Sequence, residues 1–232
     1  MGLYYTTADF HGRLDTEGAA LLSAILRERF GIDASLITCT QVHGTAVRQV
    51  NASPRQLPST SPAPWHDCDT CDALWTEEPG VALGIKVADC LPVTIAEPAR
   101  HILANIHSGW RGAARQITEV TLDAMEGESC FVASEAYAWL GPAIRVCCFE
   151  VGEEVVEQFR AGYAEADRYI DRSAEKPHLD LAGLTAARLR QRGFLADRII
   201  DTGLCTRCDG SLFHSFRRDR GSGGRNLAIA GQ

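Results

Sequence analysis

The chain lacks any apolar run approaching the roughly 20 residues that a membrane-spanning helix requires. Its first residues, Met1-Gly2-Leu3-Tyr4-Tyr5, lack the basic start and apolar stretch of a secretory signal. A soluble, cytoplasmic protein with no membrane partner is expected. A positive excess is missing too, since 23 Lys and Arg stand against 30 Asp and Glu for a net charge of -7. Phosphate-backbone affinity needs clustered basic side chains, so nucleic acid is not an expected partner. Histidine is sparse, with 7 residues scattered along the chain, whereas multicopper centres need many imidazoles in paired clusters. No internal repeat is present, which excludes a solenoid or propeller.

What the chain does hold is 45% hydrophobic residues over 232 positions, enough to bury a core without staples. A single domain over residues 1–232 is expected. Nine cysteines form an odd and rather high count. A leaderless chain of this size needs no disulfide framework, so reduced thiols are expected, some of them available to metal.

Ala19, Leu21, Leu22, Ile25, Leu26 and Phe30 recur at three- and four-residue spacings and predict an amphipathic helix from Thr16 to Phe30, stopped by Gly31. Leu36 to Cys39 and Ala46 to Val50 are short β-prone runs, and four prolines among serines predict a loop from Ala52 to Asp67. Val81 to Val87, Pro92 to Ile95 and Ile102 to Ile106 are nearly continuous in apolar residues, the mark of strands central in a sheet. One helix is expected from Gly112 to Met125, another from Gly152 to Phe159 and a third from Leu181 to Arg192, ended by Gly193. Tyr137 to Leu140 and Arg145 to Phe149 flank Gly141-Pro142, and Cys147-Cys148 reads as strand packing. Strands and helices are interspersed without regular alternation, which favours an α+β or mixed-sheet arrangement over a doubly wound parallel fold.

Three segments offer chemistry: Gln41-Val42-His43-Gly44, Ala88-Asp89-Cys90-Leu91-Pro92 and His107-Ser108-Gly109-Trp110-Arg111-Gly112. Each stands where a strand-like run meets Gly or Pro, so His43, Cys90 and His107 are expected at strand ends facing a cleft. Two imidazoles and a thiolate suit zinc, and three protein ligands leave one position for water or substrate. A second chemical reading makes Cys90 a nucleophile and His107 its base, with Asp89 or another acid orienting the imidazole. Spacing alone also leaves open a buried Cys90 and hydrogen-bonded histidines with no chemical role. Ser108 to Arg111 are expected at a helix N-terminus, where unpaired N–H groups and the Arg111 charge favour a phosphate or carboxylate.

Cys68-Asp69-Thr70-Cys71 and Cys205-Thr206-Arg207-Cys208 are two C-x-x-C pairs from which a four-thiolate structural zinc site can be built if folding brings them together; free thiols are the alternative. The stretch from Ser215 to Arg225 is basic and glycine-rich within an acidic chain, and is the second candidate anion site. Phe216 is expected to stack on a base or phenol, and Arg217 and Arg218 to hold phosphate or carboxylate, with solvated surface charge as the plain alternative. Glu150 reads as a helix-start acid. His11, His66, His101, His178 and His214 have no comparable context.

These segments, with Cys71-Asp72-Ala73-Leu74, Leu140-Gly141-Pro142, Phe149-Glu150-Val151-Gly152, Cys205-Thr206 and Ser215-Phe216-Arg217-Arg218-Asp219, resemble the YfiH-like, laccase-domain family. Its members are variously called polyphenol oxidoreductases, peptidoglycan editing factors and purine nucleoside phosphorylases. The resemblance implies a single α+β domain with mixed β-sheets and flanking helices, related to the cysteine-hydrolase-like domain of cytotoxic necrotising factor toxins. It also implies that His43, Cys90 and His107 are the catalytic residues and bind zinc ahead of copper; Arg111, Phe216, Arg217 and Arg218 are then expected, on their own chemistry, to bind substrate.

The implied reactions are phosphorolysis of adenosine, inosine and methylthioadenosine, and deamination of adenosine. Alternatives are removal of L-serine from a nucleotide-linked cell-wall precursor and copper-dependent phenol oxidation. The implied partners are small: a nucleoside with phosphate, or that precursor. The chain departs from the family's opening Thr-Arg-x-Gly-Gly-Val-Ser type segment, having Tyr5-Thr6-Thr7-Ala8-Asp9-Phe10-His11-Gly12 there. Ser108 stands for the usual alanine and Phe216 for a frequent tyrosine.

Overall fold

A computed structural model of the chain describes residues 2–5, 24, 27–28, 36–51 and 65–231. The helix expected up to Phe30, most of the proline-rich loop and nearly all of the altered N-terminal segment lie outside the described residues.

Thirteen strands are described: β1 (Gly2–Tyr5), β2 (Leu36–Thr40), β3 (Val47–Gln49), β4 (Trp65–Thr70), β5 (Ala73–Thr76), β6 (Ala82–Val87), β7 (Leu91–Glu97), β8 (Ile102–Ser108), β9 (Tyr137–Leu140), β10 (Ile170–Asp171), β11 (His178–Leu179), β12 (Ile199–Asp201) and β13 (Asn226–Gly231). One sheet has the order β1-β13-β6-β2-β4 and a second β12-β9-β7-β8-β5-β3, while β10 and β11 form a small ribbon. Both large sheets are mixed. The second, for example, joins β7, β8 and β5 antiparallel but β3 to β5 and β12 to β9 parallel.

The unbroken apolar runs follow from burial on both faces of the second sheet. Ile102, Ala104 and Ile106 join a cluster under the helices, whereas Leu103 packs toward the first sheet; Ala73 and Trp75 on one side and Leu74 on the other divide in the same way. Asn105 ties the layers together. Its buried side-chain amide donates to the carbonyls of Leu83 and Ala228 in the first sheet, at 3.0 Å each, while its oxygen accepts from Thr94. A buried amide with all these groups paired fixes the register of one sheet on the other.

Helices α1 (Trp110–Ala114), α2 (Ile117–Glu128), α3 (Glu153–Gly162), α4 (Leu181–Gln191) and α5 (Phe216–Asp219) flank the sheets. The chain is therefore a single mixed α/β domain, as the interspersed pattern suggested. None of the helices among the described residues is long and apolar enough to cross a membrane.

Two local expectations are corrected. The helix expected from Gly112 to Met125 is broken, because Gln116 adopts φ +65, and its side chain donates to the Gly162 carbonyl at 2.7 Å. Arg111 thus sits on a one-turn helix. The stretch from Arg145 to Phe149 is a turn rather than a strand, closed by the amides of Cys148 and Phe149 on the Arg145 carbonyl. The Ala143 and Ile144 amides are already taken by the Leu204 and Asp89 carbonyls, so the chain crosses the strand ends instead of extending them.

Candidate active site

His43 lies between β2 and β3, Cys90 in the turn between β6 and β7, and His107 near the end of β8. Pairing of β7 with β8 places Pro92 opposite His107 and so brings the Cys90 turn to that strand end. One ligand atom from each of His43, Cys90 and His107 lies within 4.8 Å of the others. Cys90 Sγ is 3.8 Å from His43 Nε2, and the two imidazoles meet edge to face with centroids 4.8 Å apart.

Asp72, just before β5, organises this corner and has no exposed side-chain surface. Its Oδ1 is 2.8 Å from His107 Nδ1, and its carboxylate accepts the backbone N–H groups of Val42, His43 and Gly44 at 3.3, 2.9 and 2.7 Å. The same carboxylate therefore fixes one imidazole by its ring and the other by its backbone, where His43 holds a left-handed φ of +59. With Nδ1 committed to Asp72, His107 has Nε2 left for a ligand, the arrangement by which metal-binding histidines are usually oriented.

Charge follows from these contacts. Burial opposes the Cys90 thiolate, but the neighbouring His107 and His43 outweigh it and bring the thiol down to about 7. Burial likewise opposes the His107 cation, yet Asp72 and Cys90 raise it to about 9. Asp72 is held below the ordinary carboxylate range, since His107 and the Gly44 and Val42 amides overcome the effect of burial. The corner thus favours a thiolate beside an imidazolium, and a metal ion would displace the proton between them.

Two glycines allow the close approach. A Cβ on Gly109 would lie 2.9 Å from His43 Cδ2 and 3.0 Å from Cys90 Sγ, and one on Gly112 would lie 2.7 Å from the Gly44 carbonyl oxygen.

The three residues open onto a cavity of about 620 Å³, within the usual range for small-molecule sites. Lys86, Arg111, Arg217 and Arg225 line it together with Phe149 and Phe216. None of the four cations forms an ion pair with a carboxylate among the described residues, an arrangement suited to an anion. Arg217 donates to the Glu150 carbonyl at 3.0 Å, and Arg111 lies 4.4 Å over the Trp110 ring. Arg218 faces elsewhere. Its guanidinium donates to the carbonyls of Thr206 and Phe213 and to Asp219, so it braces the loop behind the cavity rather than lining it.

Asp89 does not orient an imidazole either. It accepts from the Thr206 hydroxyl at 2.6 Å and the Arg217 backbone amide at 2.7 Å, which ties the turn carrying Cys90 to the segments at Thr206 and Arg217. Glu150 precedes α3 rather than opening it, and pairs with Lys176 at 2.9 Å.

The family model described as multi-copper polyphenol oxidoreductase laccase matches residues 15–231. The chain belongs to this laccase family. It is 32% identical over 198 residues to purine nucleoside phosphorylase YlmD of Geobacillus stearothermophilus, covering 84% of this chain and 72% of that protein. It is 36% identical to purine nucleoside phosphorylase PA4543 of Pseudomonas aeruginosa, over 79% of this chain and 69% of the relative. Adenosine deaminase RL5, from an unknown prokaryotic organism, shares 34% identity over 63% of this chain, and the match spans 56% of RL5. The crystal structure of YlmD from G. stearothermophilus superposes with a TM-score of 0.86 at 28% identity, covering 100% of this chain and 92% of that one. That of the Bacillus licheniformis hypothetical protein YfiH gives 0.81 at 26%, over 93% and 80%.

In this laccase-family chain the sequence reading missed Asp72, Lys86 and the bracing role of Gln41, and took Arg225 only as the end of a basic stretch, which the fold brings to the same cavity. The Gln41 side chain donates to the Lys86 carbonyl at 2.7 Å and accepts the Lys86 amide at 2.8 Å, which joins the ends of β2 and β6 beneath the cavity. Asp72 stood inside a quoted motif, but nothing in its immediate neighbours marks a carboxylate that will be buried. Lys86 interrupts an apolar strand, and that interruption was the available signal.

Proposed function

We propose that this chain is a zinc-dependent enzyme acting on purine nucleosides, by phosphorolysis of adenosine, inosine and methylthioadenosine and by deamination of adenosine at the same centre. The observation that carries the reading is the convergence of His43, Cys90 and His107 on a cavity lined by four cations that have no carboxylate partner among the described residues. The names of the relatives, purine nucleoside phosphorylase and adenosine deaminase, agree with it. One thiolate and two imidazoles within 4.8 Å fit a zinc ion in an open, three-ligand site. When bound there, zinc supplies Lewis acidity and an acidified water.

The remaining roles belong to the chain. Asp72 keeps the His107 Nδ1 proton and so directs Nε2 toward the site. Arg111, Arg217, Lys86 and Arg225 offer the charge for phosphate, and exposed Phe216 offers a face on which a purine can stack. In phosphorolysis a phosphate oxygen bonds to the anomeric carbon as the glycosidic C–N bond breaks, and the base leaves with that electron pair and takes up a proton. Phosphate held by the arginines beside the nucleoside makes this attack effectively unimolecular.

Mass-spectrometric product analysis of wild type and Cys90→Ala on adenosine, inosine and methylthioadenosine tests the reading, with metal content measured on the same samples. Free base and ribose phosphate from wild type alone support it; equal product from both proteins removes Cys90 from the chemistry.

A second reading rests on Cys90, His107 and Asp72 as nucleophile, base and orienting acid of an amidase. Release of free serine from a serine-bearing, nucleotide-linked cell-wall precursor would favour it. Copper-dependent phenol oxidation ranks below both, because the described residues bring only two histidines to any metal-grade group.

A further inference from the structure

Cys147 and Cys148 do not pack in a strand, and Cys205-x-x-Cys208 does not meet Cys68-x-x-Cys71. The thiol of Cys71 instead lies between those of Cys68 and Cys39, by the edge where β2 meets β4. The four sulfurs of Cys147, Cys148, Cys205 and Cys208 form a group of their own, all within 4.8 Å of one another.

Their spacing discriminates among the uses of clustered thiols. Cys148 Sγ and Cys147 Sγ lie 3.4 and 3.8 Å from Cys208 Sγ. Four sulfurs bound tetrahedrally to one ion at ~2.3 Å are ~3.8 Å apart. A disulfide would need ~2.05 Å, and all four cysteines are free. An iron–sulfur cluster divides its four cysteine sulfurs among two or four irons and so needs a wider set than this one.

Both segments are shaped as sulfur-presenting turns. The Cys205 turn is closed by the Asp209 amide on the Cys205 carbonyl and by the Cys205 amide on Asp209 Oδ2. Cys148 and Cys205 are buried, whereas Cys147 and Cys208 are exposed, so an ion has an entry path from solvent.

We propose that Cys147, Cys148, Cys205 and Cys208 bind a second zinc ion as a four-thiolate structural site, separate from the His43, Cys90 and His107 centre. Each thiol releases its proton to solvent as its sulfur binds. The site joins a loop that lines the cavity to a loop that stands behind it. The first carries Ile144 and Phe149, which line it; the second carries Thr206, whose hydroxyl holds Asp89 beside Cys90 and whose carbonyl receives Arg218. Closed four-ligand zinc sites contribute folding energy directly, and here that contribution falls on the loops behind the catalytic centre.

The test is elemental analysis of full-length protein purified under reducing conditions, for wild type, Cys208→Ser, Cys147→Ser and Cys90→Ala. Each variant at the four-sulfur site is expected to lose one zinc equivalent relative to wild type, and Cys90→Ala to lose the other one. The proposal does not depend on the active-site reading: if Cys90→Ala loses no zinc, the loss in Cys208→Ser still counts for the second site. Cobalt(II) added to metal-stripped Cys90→Ala provides a readout that needs no four-sulfur variant to fold, and a tetrahedral spectrum with intense thiolate charge transfer is expected. Unchanged zinc content in both Cys208→Ser and Cys147→Ser, a cobalt spectrum without thiolate bands, or a Cys148 to Cys208 disulfide in the reduced preparation would overturn the proposal.

Discussion

Asp72 Oδ1 lies 2.8 Å from His107 Nδ1, while the other oxygen of the same buried carboxylate accepts the Gly44 amide at 2.7 Å. One acid, from outside the three proposed ligands, thus sets both histidines. Replacing Asp72 with Asn preserves the shape but removes the charge that holds the His107 tautomer. Zinc affinity, measured by competition with a chromophoric chelator, is expected to fall about 10- to 100-fold, as for other partners of metal-bound histidines. Unaltered affinity in a folded variant would remove Asp72 from this role.

Gly109→Ala tests the close packing around the ligands. The backbone there, at φ -70, accommodates alanine, so any effect comes from the methyl group that would meet His43 and Cys90 at 2.9 and 3.0 Å. Lower zinc affinity and lower activity are expected together. Gly127→Ala is the control, because its added methyl meets nothing within 4 Å and it lies in helix α2; stability there is expected to rise by up to ~1 kcal/mol with metal binding unchanged.

Ser108 is buried beside His107, and its hydroxyl has no hydrogen-bond partner among the described residues. A buried hydroxyl left unpaired costs ~1–3 kcal/mol. Ser108→Ala is therefore expected to equal or exceed wild type in thermal stability. A clear fall in Tm would show that the hydroxyl has a partner in solution.

Arg218 holds the Asp219 carboxyl below the ordinary carboxylate range. A carboxyl lowered on folding adds stability above its unfolded value, ~3.9, and that contribution disappears as pH falls through the lower folded value. The stability gap between wild type and Asp219→Asn, read from urea midpoints, should therefore be widest near neutrality and close in acid. A gap independent of pH would contradict this account of the pair.

How much of the molecule was legible in its sequence depended on how local the signal was. The strands around Val81 to Ile106 could be read because two-sided burial leaves apolar runs, and His43, Cys90 and His107 because each follows or precedes such a run at Gly or Pro. The break at Gln116 could not, since a left-handed glutamine has no turn residue to announce it. Arg217 and Arg218 look alike as a charge pair, yet folding sends one to the cavity and the other to the Thr206 and Phe213 carbonyls. The four-cysteine group joins residues 60 and 61 positions apart, and only the crossing of two loops over the strand ends reveals it.

The most direct test of the proposed activity is the rate of hypoxanthine release from inosine by zinc-loaded protein, with phosphate present and with phosphate omitted. Release that requires phosphate and is lost in Cys90→Ala is the predicted result. Release unchanged without phosphate, or retained in Cys90→Ala, would contradict phosphorolysis at the His43, Cys90 and His107 centre.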